Sequence, residues 1–310
     1  MMFGEVGAVP KNLLRLAERA AAPQMSAMAL NRRFGPRSAW APASGQIWRA
    51  VHEGCTALLL LVAVDADAVI AMPVTVDRIE NVDTLVLESA AFGVPVTVWA
   101  GLRRSLPMCV LDRPVDDVAA DVVREAERVA AVVDRASLSG VAAGVLEIRT
   151  ELEDDLAAFE EARAEAAPPT SVAGGMEAGS GIDFDALDSA ALDEAATRLN
   201  APLAEVLDLL DGKRPLTSTE AEVFRVVLGA TPAAAPPAAG LLAELTHPRW
   251  RGLIREHRRR SGLTEADARS AMAYAVYGMA ARQTGGQSPS WPQRILLWAQ
   301  AHQLDPDVEA

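Results

Sequence analysis

The sequence predicts an α+β protein, in which a small β module with flanking helices is followed by mostly α-helical C-terminal modules. Residues 45–114 contain about six short runs of leucine and β-branched residues separated by turn signals, which is typical of strands. The segments on either side are rich in alanine and repeat apolar residues at helical spacing. Stretches rich in glycine, proline, serine and alanine then divide the helical part of the chain.

Composition limits the class of protein. The chain has 310 residues, of which 50% are hydrophobic, enough for a substantial core in two or three compact units. The longest apolar run, Ala57 to Val64, is too short to cross a bilayer. The N-terminal segment does not match a signal peptide, because basic residues interrupt its apolar residues. Cys55 and Cys109 are the only cysteines, which argues against a disulfide framework. We therefore expect a soluble cytoplasmic protein without membrane association.

The net charge of −13 is unevenly distributed. Residues 1–45 carry a net charge of +4, residues 115–220 one of −16 and residues 241–310 one of +2. The acidic balance opposes non-specific binding to nucleic acid. Two basic patches stand against this background, Arg32, Arg33 and Arg37 in the first and Arg249 to Arg260 in the second. Each patch is either a solvated face or a contact for phosphates.

The elements of the N-terminal half follow from periodicity and turn signals. Residues 10–30 predict an amphipathic helix, and residues 31–44, with glycine and prolines, predict a loop. Asp65-Ala66-Asp67 joins two strongly apolar runs and predicts a hairpin, and the density of strands favours a small barrel or a strongly bent sheet. Pro114 is expected to end the β region. Residues 115–117 would then open a helix with acids at its positive end.

The rest of the chain is predicted to be helical modules joined by linkers. Residues 167–181 lack apolar periodicity and predict a flexible linker, whereas the Ala/Pro stretch 231–240 predicts a stiffer spacer. The predicted order is an N-terminal helix and loop (1–44), the β module (45–114), a helical hairpin (115–166), the flexible linker (167–181), a helical module (182–230), the Ala/Pro linker (231–240) and a C-terminal helical module (241–310).

Four segments of the β module resemble a known family. They are Gly45-Gln46-Ile47-Trp48, Leu58 to Val64, Ala71-Met72-Pro73-Val74-Thr75, and Trp99 to Leu106 followed by Val110-Leu111-Asp112. Their order resembles that of the MazF/PemK toxins, small SH3-like β-barrels of which many cut single-stranded RNA. The resemblance covers residues 45–114 and implies an SH3-like barrel, and it implies a homodimer because such toxins are commonly dimeric.

The resemblance places Thr75 at the catalytic Thr/Ser position of that family. Attack by a 2′-hydroxyl on a phosphodiester needs a proton acceptor. It also needs a cation or hydrogen-bond donors that stabilise the negative charge on the phosphorane. The family supplies an arginine in a Gly-x-Arg-Pro motif, but the corresponding residues here, 53–57, contain none. Arg49, Arg103 or Arg104 would have to replace it. Thr75 is otherwise a β-branched strand residue, the interpretation we favour, and Arg103 and Arg104 are otherwise strand-edge charges.

Residues 192–229 resemble the helix-turn-helix core of the lambda-repressor-like (XRE) class. A helix over 192–200 is followed by a helix in the position of the recognition helix, a Gly-Lys-Arg turn and a supporting helix that ends in Leu228-Gly229. The second helix carries Glu205, Asp208 and Asp211 and no cation before Lys213, so it would repel a phosphate backbone. We therefore favour binding of a protein. The alternative is binding of DNA, which would be contacted through the Gly-Lys-Arg turn after this helix.

The candidate nucleic-acid contacts are all basic and lie after residue 212. They are Lys213, Arg214, Arg249, Arg251, Arg258, Arg259 and Arg260. Arginines beside Trp250 could grip phosphates while the indole stacks on a base. The alternative, which we favour, is that Trp250 packs inward and the arginines remain solvated. No metal or cofactor is predicted, because the histidines lack the paired spacing of a metal site.

Three functions remain open from the sequence. The first is a regulatory, non-catalytic protein that binds nucleic acid (RNA or DNA) or a protein partner through the β module and the repressor-like module. The second is a metal-independent endoribonuclease of the toxin class that cleaves single-stranded RNA, with Thr75, Arg103 and Arg104 as catalytic residues. The third is a protein–protein adaptor, supported by the acidic segment 115–220.

Overall fold

The computed structural model describes residues 27–89, 91–133, 143–166, 188–210, 216, 218–229, 237–281 and 289–305. The helix expected before residue 27, the flexible linker, and Lys213 and Arg214 lie outside these residues. The chain divides into two compact units. One comprises residues up to Ala164 together with Thr246–Arg249, and the other contains residues 165–245 and most of those from Trp250 onward.

The described part of the first unit combines an antiparallel sheet with helices. Its elements are α1 (Ala27–Phe34), β1 (Gln46–His52), β2 (Cys55–Val64), β3 (Ala68–Thr75), β4 (Leu85–Glu88), β5 (Pro95–Val98), β6 (Arg104–Pro107), β7 (Leu111–Asp117), α2 (Ala120–Val133) and α3 (Ala143–Ala166). The strand order is β4-β5-β3-β2-β1-β7, and β6 also pairs with β3. Within the described ranges no pairing joins β4 to β7, so the sheet is open and the closed SH3-like barrel is not confirmed.

Strand β2 lies at the centre of the sheet and is buried on both faces. Residues 57–62 are all buried, which explains why this strand is a continuous apolar run rather than an alternating one. On one face Leu58 and Leu60 pack with residues of β1, β3 and β5 and with Val123 and Ala126 of α2. The amphipathic α2 therefore covers this face of the sheet.

The two hairpins around β2 follow from local turn chemistry. The β1–β2 turn contains only Glu53 and Gly54, whose φ values of 43° and 88° are those of a type I′ turn, and His52 pairs with Cys55. The β2–β3 hairpin predicted at residues 65–67 is confirmed, because β2 and β3 pair antiparallel and the Asp65 N–H donates to the carbonyl of Ala68 over 2.8 Å.

The end predicted for the β region at Pro114 is wrong. Strand β7 continues to Asp117, and α2 begins only at Ala120. The proline is tolerated because β7 is an edge strand, where a missing N–H removes no ladder bond, and because Pro114 lies opposite Trp48 beside a register shift. The continuation of β7 past Pro114 buries Asp116, for which the sequence predicted a position at a helix N-terminus.

Asp116 is instead part of a buried polar cluster. The Ser89 hydroxyl donates to its Oδ2 over 2.5 Å, and the Arg33 guanidinium donates to its Oδ1. Burial alone would raise the pKa of Asp116, but the hydrogen bonds from Ser89, Arg33 and the Asp117 N–H lower this pKa below its ordinary value. Asp116 is therefore held as a carboxylate that anchors α1 to β7.

The segment expected to be a loop, residues 31–44, contains regular structure. Helix α1 extends to Phe34, and a 3₁₀ turn covers Arg37–Ala39. Arg37 is buried, donates through Nη2 to the carbonyl of Asp112 over 3.0 Å and lies 3.5 Å from its Oδ1. Arg49 donates through Nε to Oδ2 of the same carboxylate over 2.8 Å. Since Asp112 is buried, two guanidinium groups balance its charge inside the fold.

The second unit is helical. Its elements are α4 (Ser189–Leu199), α5 (Leu203–Leu210), α6 (Ser218–Leu228), α7 (Ala239–Thr246), α8 (Arg251–Ser261), α9 (Glu265–Ala281) and α10 (Trp291–Ala301). Helices α4 to α6 share a core of Ala195, Val206, Leu209, Leu210 and Phe224. Helices α7 to α10 share another core that includes Trp250, Leu253, Met272, Ile295 and Trp298. Among the helices described, none is both long and apolar enough to span a bilayer.

Two histidines contact Trp298 in the C-terminal core. The ring of His257 meets this indole edge-on, with 5.3 Å between centroids, and the ring of His302 stacks on it at 4.4 Å. Burial, with a smaller contribution from the nearby His302, lowers the pKa of His257 below its ordinary value of 6.5. The folded module therefore resists protonation at His257.

We expect Asp112→Asn to lower the free energy of unfolding of the β module by about 3 kcal/mol, because Arg37 and Arg49 would lose their shared charge partner. Urea unfolding of the full chain, followed by hydrogen exchange in β1 and β7, measures this loss. The control is Glu80→Gln, which removes an exposed partner of Arg78 and should cost less than about 1 kcal/mol. Equal losses in the two variants would contradict the assignment of Asp112 as a buried anchor.

We expect α8 and α10 to lose stability as the pH falls below the ordinary pKa of His257, 6.5, with the loss levelling off once the pH is below the lowered pKa of the folded state. The sign follows because the unfolded chain binds the proton more tightly than the folded one. Hydrogen exchange of α8 and α10 between about pH 7.5 and pH 5.5 checks it. His257→Gln should flatten this dependence, whereas His52→Gln in the other unit should leave it unchanged.

Candidate functional site

Thr75, the residue predicted to be catalytic, lies half-buried at the end of β3. Its hydroxyl donates to Oδ1 of Asp77 over 2.6 Å and accepts a hydrogen bond from Nε1 of Trp99 over 2.9 Å. Trp99 is fully buried, so its indole N–H requires an acceptor inside the protein. Thr75 provides that acceptor, which gives its hydroxyl a structural role.

Asp77 is a site residue that the sequence reasoning missed. Thr97, which pairs with Thr75 across β3 and β5, donates its hydroxyl to the backbone carbonyl of Asp77 over 2.8 Å. The Ile79 N–H donates to the Thr97 hydroxyl over 2.9 Å, which fixes the turn that presents Asp77. The Thr-x-Asp spacing was the available signal, since an Asp two residues after a hydroxyl can accept from it locally. A carboxylate at this distance can accept a proton.

None of the cations considered from the sequence contacts this pair. Arg49 is held on the buried Asp112. Arg104 lies opposite Ala71, four residues along β3 from Thr75 and thus about 13 Å away along the strand. Its Nε lies 3.8 Å from Glu160.

Arg103 and Arg78 are exposed cations near the ends of these strands. Arg103 follows the 3₁₀ turn after β5, and its guanidinium has no partner among the described residues. Arg78 follows Asp77 in the chain and donates through Nε to Glu80 over 3.0 Å. Across the described part of the chain, no guanidinium donates to Thr75 or Asp77. The structure thus brings Thr75 together with Asp77 and Trp99, and not with Arg103 or Arg104.

The described part of residues 188–229 forms the helices α4, α5 and α6. Helix α5, in the place of a recognition helix, buries Val206, Leu209 and Leu210 against α4 and α6. The side chains of Leu203 and Leu207 remain 42% and 39% exposed. Helix α5 thus presents two leucines outside the core that it helps to form.

The charges of this module are mainly negative. Residues 188–229 contain eight acidic and four basic residues, a net charge of −4. Glu205 and Asp208 are exposed on α5. Arg198 is held by Glu194 on α4 over 2.6 Å, and Arg225 is held by Glu222 on α6 at the same distance. The arginines of the described helices are thus paired within their own helices. Lys213 and Arg214, the predicted DNA contacts, lie outside the described residues.

The prediction that Arg251 contacts nucleic acid is wrong. Arg251 is only 4% exposed, and its Nε lies 3.3 Å from the Glu265 carboxylate. Arg269 also donates to Glu265 over 3.1 Å, and Nε of Arg255 lies 3.6 Å from it. Burial alone would raise the pKa of Glu265, but the three arginines lower it below its ordinary value. Arg251 is a core ion-pair residue that links α8 to α9.

The other arginines of the C-terminal patch differ in their surroundings. Arg259 and Arg260 both donate to Glu256, and Arg260 also donates to the carbonyls of His302 and Gln303. Arg249 is half-buried, while Arg258 is exposed and has no side-chain partner among the described residues. Only part of the sequence patch is therefore a free basic surface.

Trp250 is not available for base stacking. It is 1% exposed, and its Nε1 donates to Glu244 over 2.7 Å. This result confirms that the indole packs inward. Within the described ranges, no group of three or more His, Cys, Asp or Glu side chains could hold a metal ion.

Part of the chain is similar to solved toxin structures. An endoribonuclease in complex with its cognate antitoxin, from a mycobacterial species, is 18% identical with a TM-score of 0.28, and the match covers 31% of this chain and 98% of that one. The Mycobacterium tuberculosis toxin MazF-mt6 is 13% identical with a TM-score of 0.26, and the match covers 30% of this chain and 98% of that one. No protein-family model matches the sequence, and no curated protein matches it.

We expect Thr75→Val to lower the free energy of unfolding of the β module by about 2 kcal/mol, because the buried indole N–H of Trp99 would lose its acceptor. In a Trp99→Phe background the same change should cost less than about 1 kcal/mol, since no N–H is then left unsatisfied. A double-mutant cycle by urea unfolding, with hydrogen exchange in β3 and β5, measures the coupling. Identical costs in both backgrounds would rule out this structural role for Thr75.

Proposed function

We propose that the chain is a non-catalytic regulatory protein that acts by binding a protein partner through the module of helices α4 to α6, with the β module as a scaffold. The observation that carries this proposal is the surface of α5. Its outward-facing positions are apolar or acidic, as in Leu203, Leu207 and Asp208, where a DNA-reading helix would carry cations and amides.

The charge of the module favours a protein over DNA as the partner. A protein that binds DNA gains affinity by placing Lys and Arg on phosphates and releasing counterions. Here the segment has a net charge of −4, and Arg198 and Arg225 are already paired with glutamates of their own helices. Leu203 and Leu207, exposed four residues apart on α5, form an apolar face that another protein could cover.

The β module supports a scaffold role for a chemical reason. The Thr75 hydroxyl already accepts from a buried indole and donates to Asp77. Cleavage of a phosphodiester also needs positive charge at the phosphorane, and the described residues place no guanidinium against this pair. Thr75 is thus accounted for by the packing of Trp99.

A toxin-class endoribonuclease is the second candidate, and the contact between Thr75 and Asp77 is the observation that favours it. A half-exposed carboxylate 2.6 Å from a hydroxyl could accept the proton of an attacking 2′-hydroxyl, with Thr75 orienting it. The exposed Arg103 would then have to approach the phosphate in the bound complex. The sequence resemblance to MazF/PemK toxins points to the same reaction.

We expect the purified full chain to leave single-stranded RNA intact under metal-free conditions, because no guanidinium among the described residues contacts Thr75 or Asp77. The assay compares it with Thr75→Ala, Asp77→Asn and Arg103→Ala variants, and Glu80→Gln is the control for a nearby exposed carboxylate. Cleavage that falls about 100-fold in Asp77→Asn but persists in Glu80→Gln would replace the scaffold role with the endoribonuclease.

The same proposal excludes tight DNA binding. At about 50 mM salt, where electrostatic binding is strongest, the full chain should not shift a duplex DNA library in an anisotropy titration. Binding at that salt with a steep loss of affinity toward about 200 mM would show that phosphates are contacted and would contradict the choice of a protein partner.

A further inference from the structure

We propose that the N-terminal end of α10 binds an organic carboxylate, which the guanidinium of Arg294 holds while the apolar part of the ligand lies against Trp291. The inference does not depend on the partner proposed for α4 to α6, because it concerns another module of the chain. It rests on a buried guanidinium that makes one hydrogen bond and no ion pair with the described residues.

The fold places the guanidinium of Arg294 at this end of the helix. Helix α10 begins at Trp291, so Arg294 lies in its first turn. Helical side chains lean toward the N-terminus, and Nε of Arg294 donates back to the carbonyl of Pro289 over 3.0 Å. The guanidinium carbon lies 5.3 Å from the centre of the Trp291 ring, within the range of a cation–π contact. A backbone carbonyl and an indole thus hold the guanidinium in place.

No carboxylate of the described residues balances the charge of Arg294. The residue is 9% exposed, and its buried Nη1 has no hydrogen-bond partner in the described part of the chain. A buried cation without a counter-charge is costly to the fold. The other buried arginines of α8 and α9 have such a counter-charge, since Arg251 and Arg269 both lie against Glu265. Packing alone therefore does not account for a guanidinium at position 294.

The donors of this guanidinium match a carboxylate. Because Pro289 occupies Nε, the two terminal nitrogens remain, and their spacing fits the two oxygens of one carboxylate. The partial positive charge at the start of α10 favours the same sign of ligand. Since Nη1 is buried, the ligand would reach Nη2 first and then Nη1 through a small shift of the half-buried Trp291 ring. The indole then offers an apolar surface to the rest of the ligand.

Other ligands fit these groups less well. A phosphate group carries nearly two negative charges, and no second cation is among the described contacts of Arg294. A nucleic acid presents phosphates in series and needs several cations. A neutral aromatic molecule could stack on Trp291 but would leave the buried charge unbalanced. A small carboxylic acid and the free C-terminus of a peptide share the required chemistry.

The test follows the indole N–H resonance of Trp291 by NMR in the isotope-labelled full chain, where the loss of one signal in Trp291→Phe assigns it. The probes are benzoate, benzamide, inorganic phosphate, and the peptide acetyl-Ala-Ala-Phe with either a free or an amidated C-terminus. Benzoate or the free peptide should shift this resonance with half-saturation below about 10 mM. Each uncharged counterpart, and phosphate, should bind at least about ten-fold more weakly.

Variants locate the binding at Arg294. Arg294→Gln should weaken binding of the carboxylate probe by about ten-fold or more, because the charge and the paired donors are both lost. Arg258→Gln is the matched control, since Arg258 is exposed on α8 of the same module, and it should leave the affinity unchanged. Circular dichroism checks that the helices persist. If Arg294→Gln unfolds, Arg294→Lys serves instead; it keeps the charge, loses the planar fork and should also weaken binding.

The probes also separate the two sources of the carboxylate. Tighter binding of benzoate would support a small carboxylic acid as the ligand, and tighter binding of the free peptide would support the C-terminus of a protein. Equal binding of benzamide and benzoate, phosphate as tight as either carboxylate, or no shift of the Trp291 resonance would each overturn the site. An affinity unchanged in Arg294→Gln, or in Arg294→Lys where that variant replaces it, would overturn it as well.

Discussion

The β module depends on burying both faces of one strand. Since residues 57–62 of β2 are apolar without interruption, the strand is stable only where other elements cover it above, below and on both edges. Strands β1 and β3 pair with its edges, and α2 closes one face with a valine and alanine stripe. The outer elements follow from this requirement, because β7 extends the sheet beside β1 and the guanidinium groups of α1 and the following turn hold β7 in place.

Several carboxylates and guanidinium groups form ion pairs that hold elements of the fold together. Asp112 and Asp116 each hold a basic residue from the N-terminal segment, Asp83 holds Arg149 of α3, and Glu265 holds three arginines of the C-terminal core. Buried pairs of this kind contribute positional specificity more than net stability. These ion pairs leave fewer unpaired cations that a ligand could contact. Arg33, Arg37 and Arg251, which belong to basic patches in the sequence, are paired with acidic side chains of the fold.

Local signals predicted much of the fold, and long-range pairing accounts for what they missed. The hairpin at residues 65–67 and the helices α4 to α6 were predictable because turn residues and helical periodicity act over a few residues. The extension of β7 past Pro114 was not, since only the finished sheet shows that this strand is an edge. Arg251 was misjudged because its partner, Glu265, lies on the next helix. At the candidate site, Thr75 was identified from the resemblance to the MazF/PemK toxins. Asp77 is recognised only in the folded chain, where the turn held by Thr97 places its carboxylate against the Thr75 hydroxyl.

The length of the two-residue turn between β1 and β2 determines which sequence changes the β module tolerates. A strand with one apolar and one polar face resists slipping by a residue, because a slip would bury its polar side. Strand β2 lacks that safeguard over residues 57–62, since both of its faces are equally apolar. Its alignment therefore rests on the length of the turn at Glu53 and Gly54 and on the polar positions of β1. Point substitutions within β2 would be absorbed as changes in packing, whereas gaining or losing one residue at this turn would exchange the two faces of the strand and scramble the module.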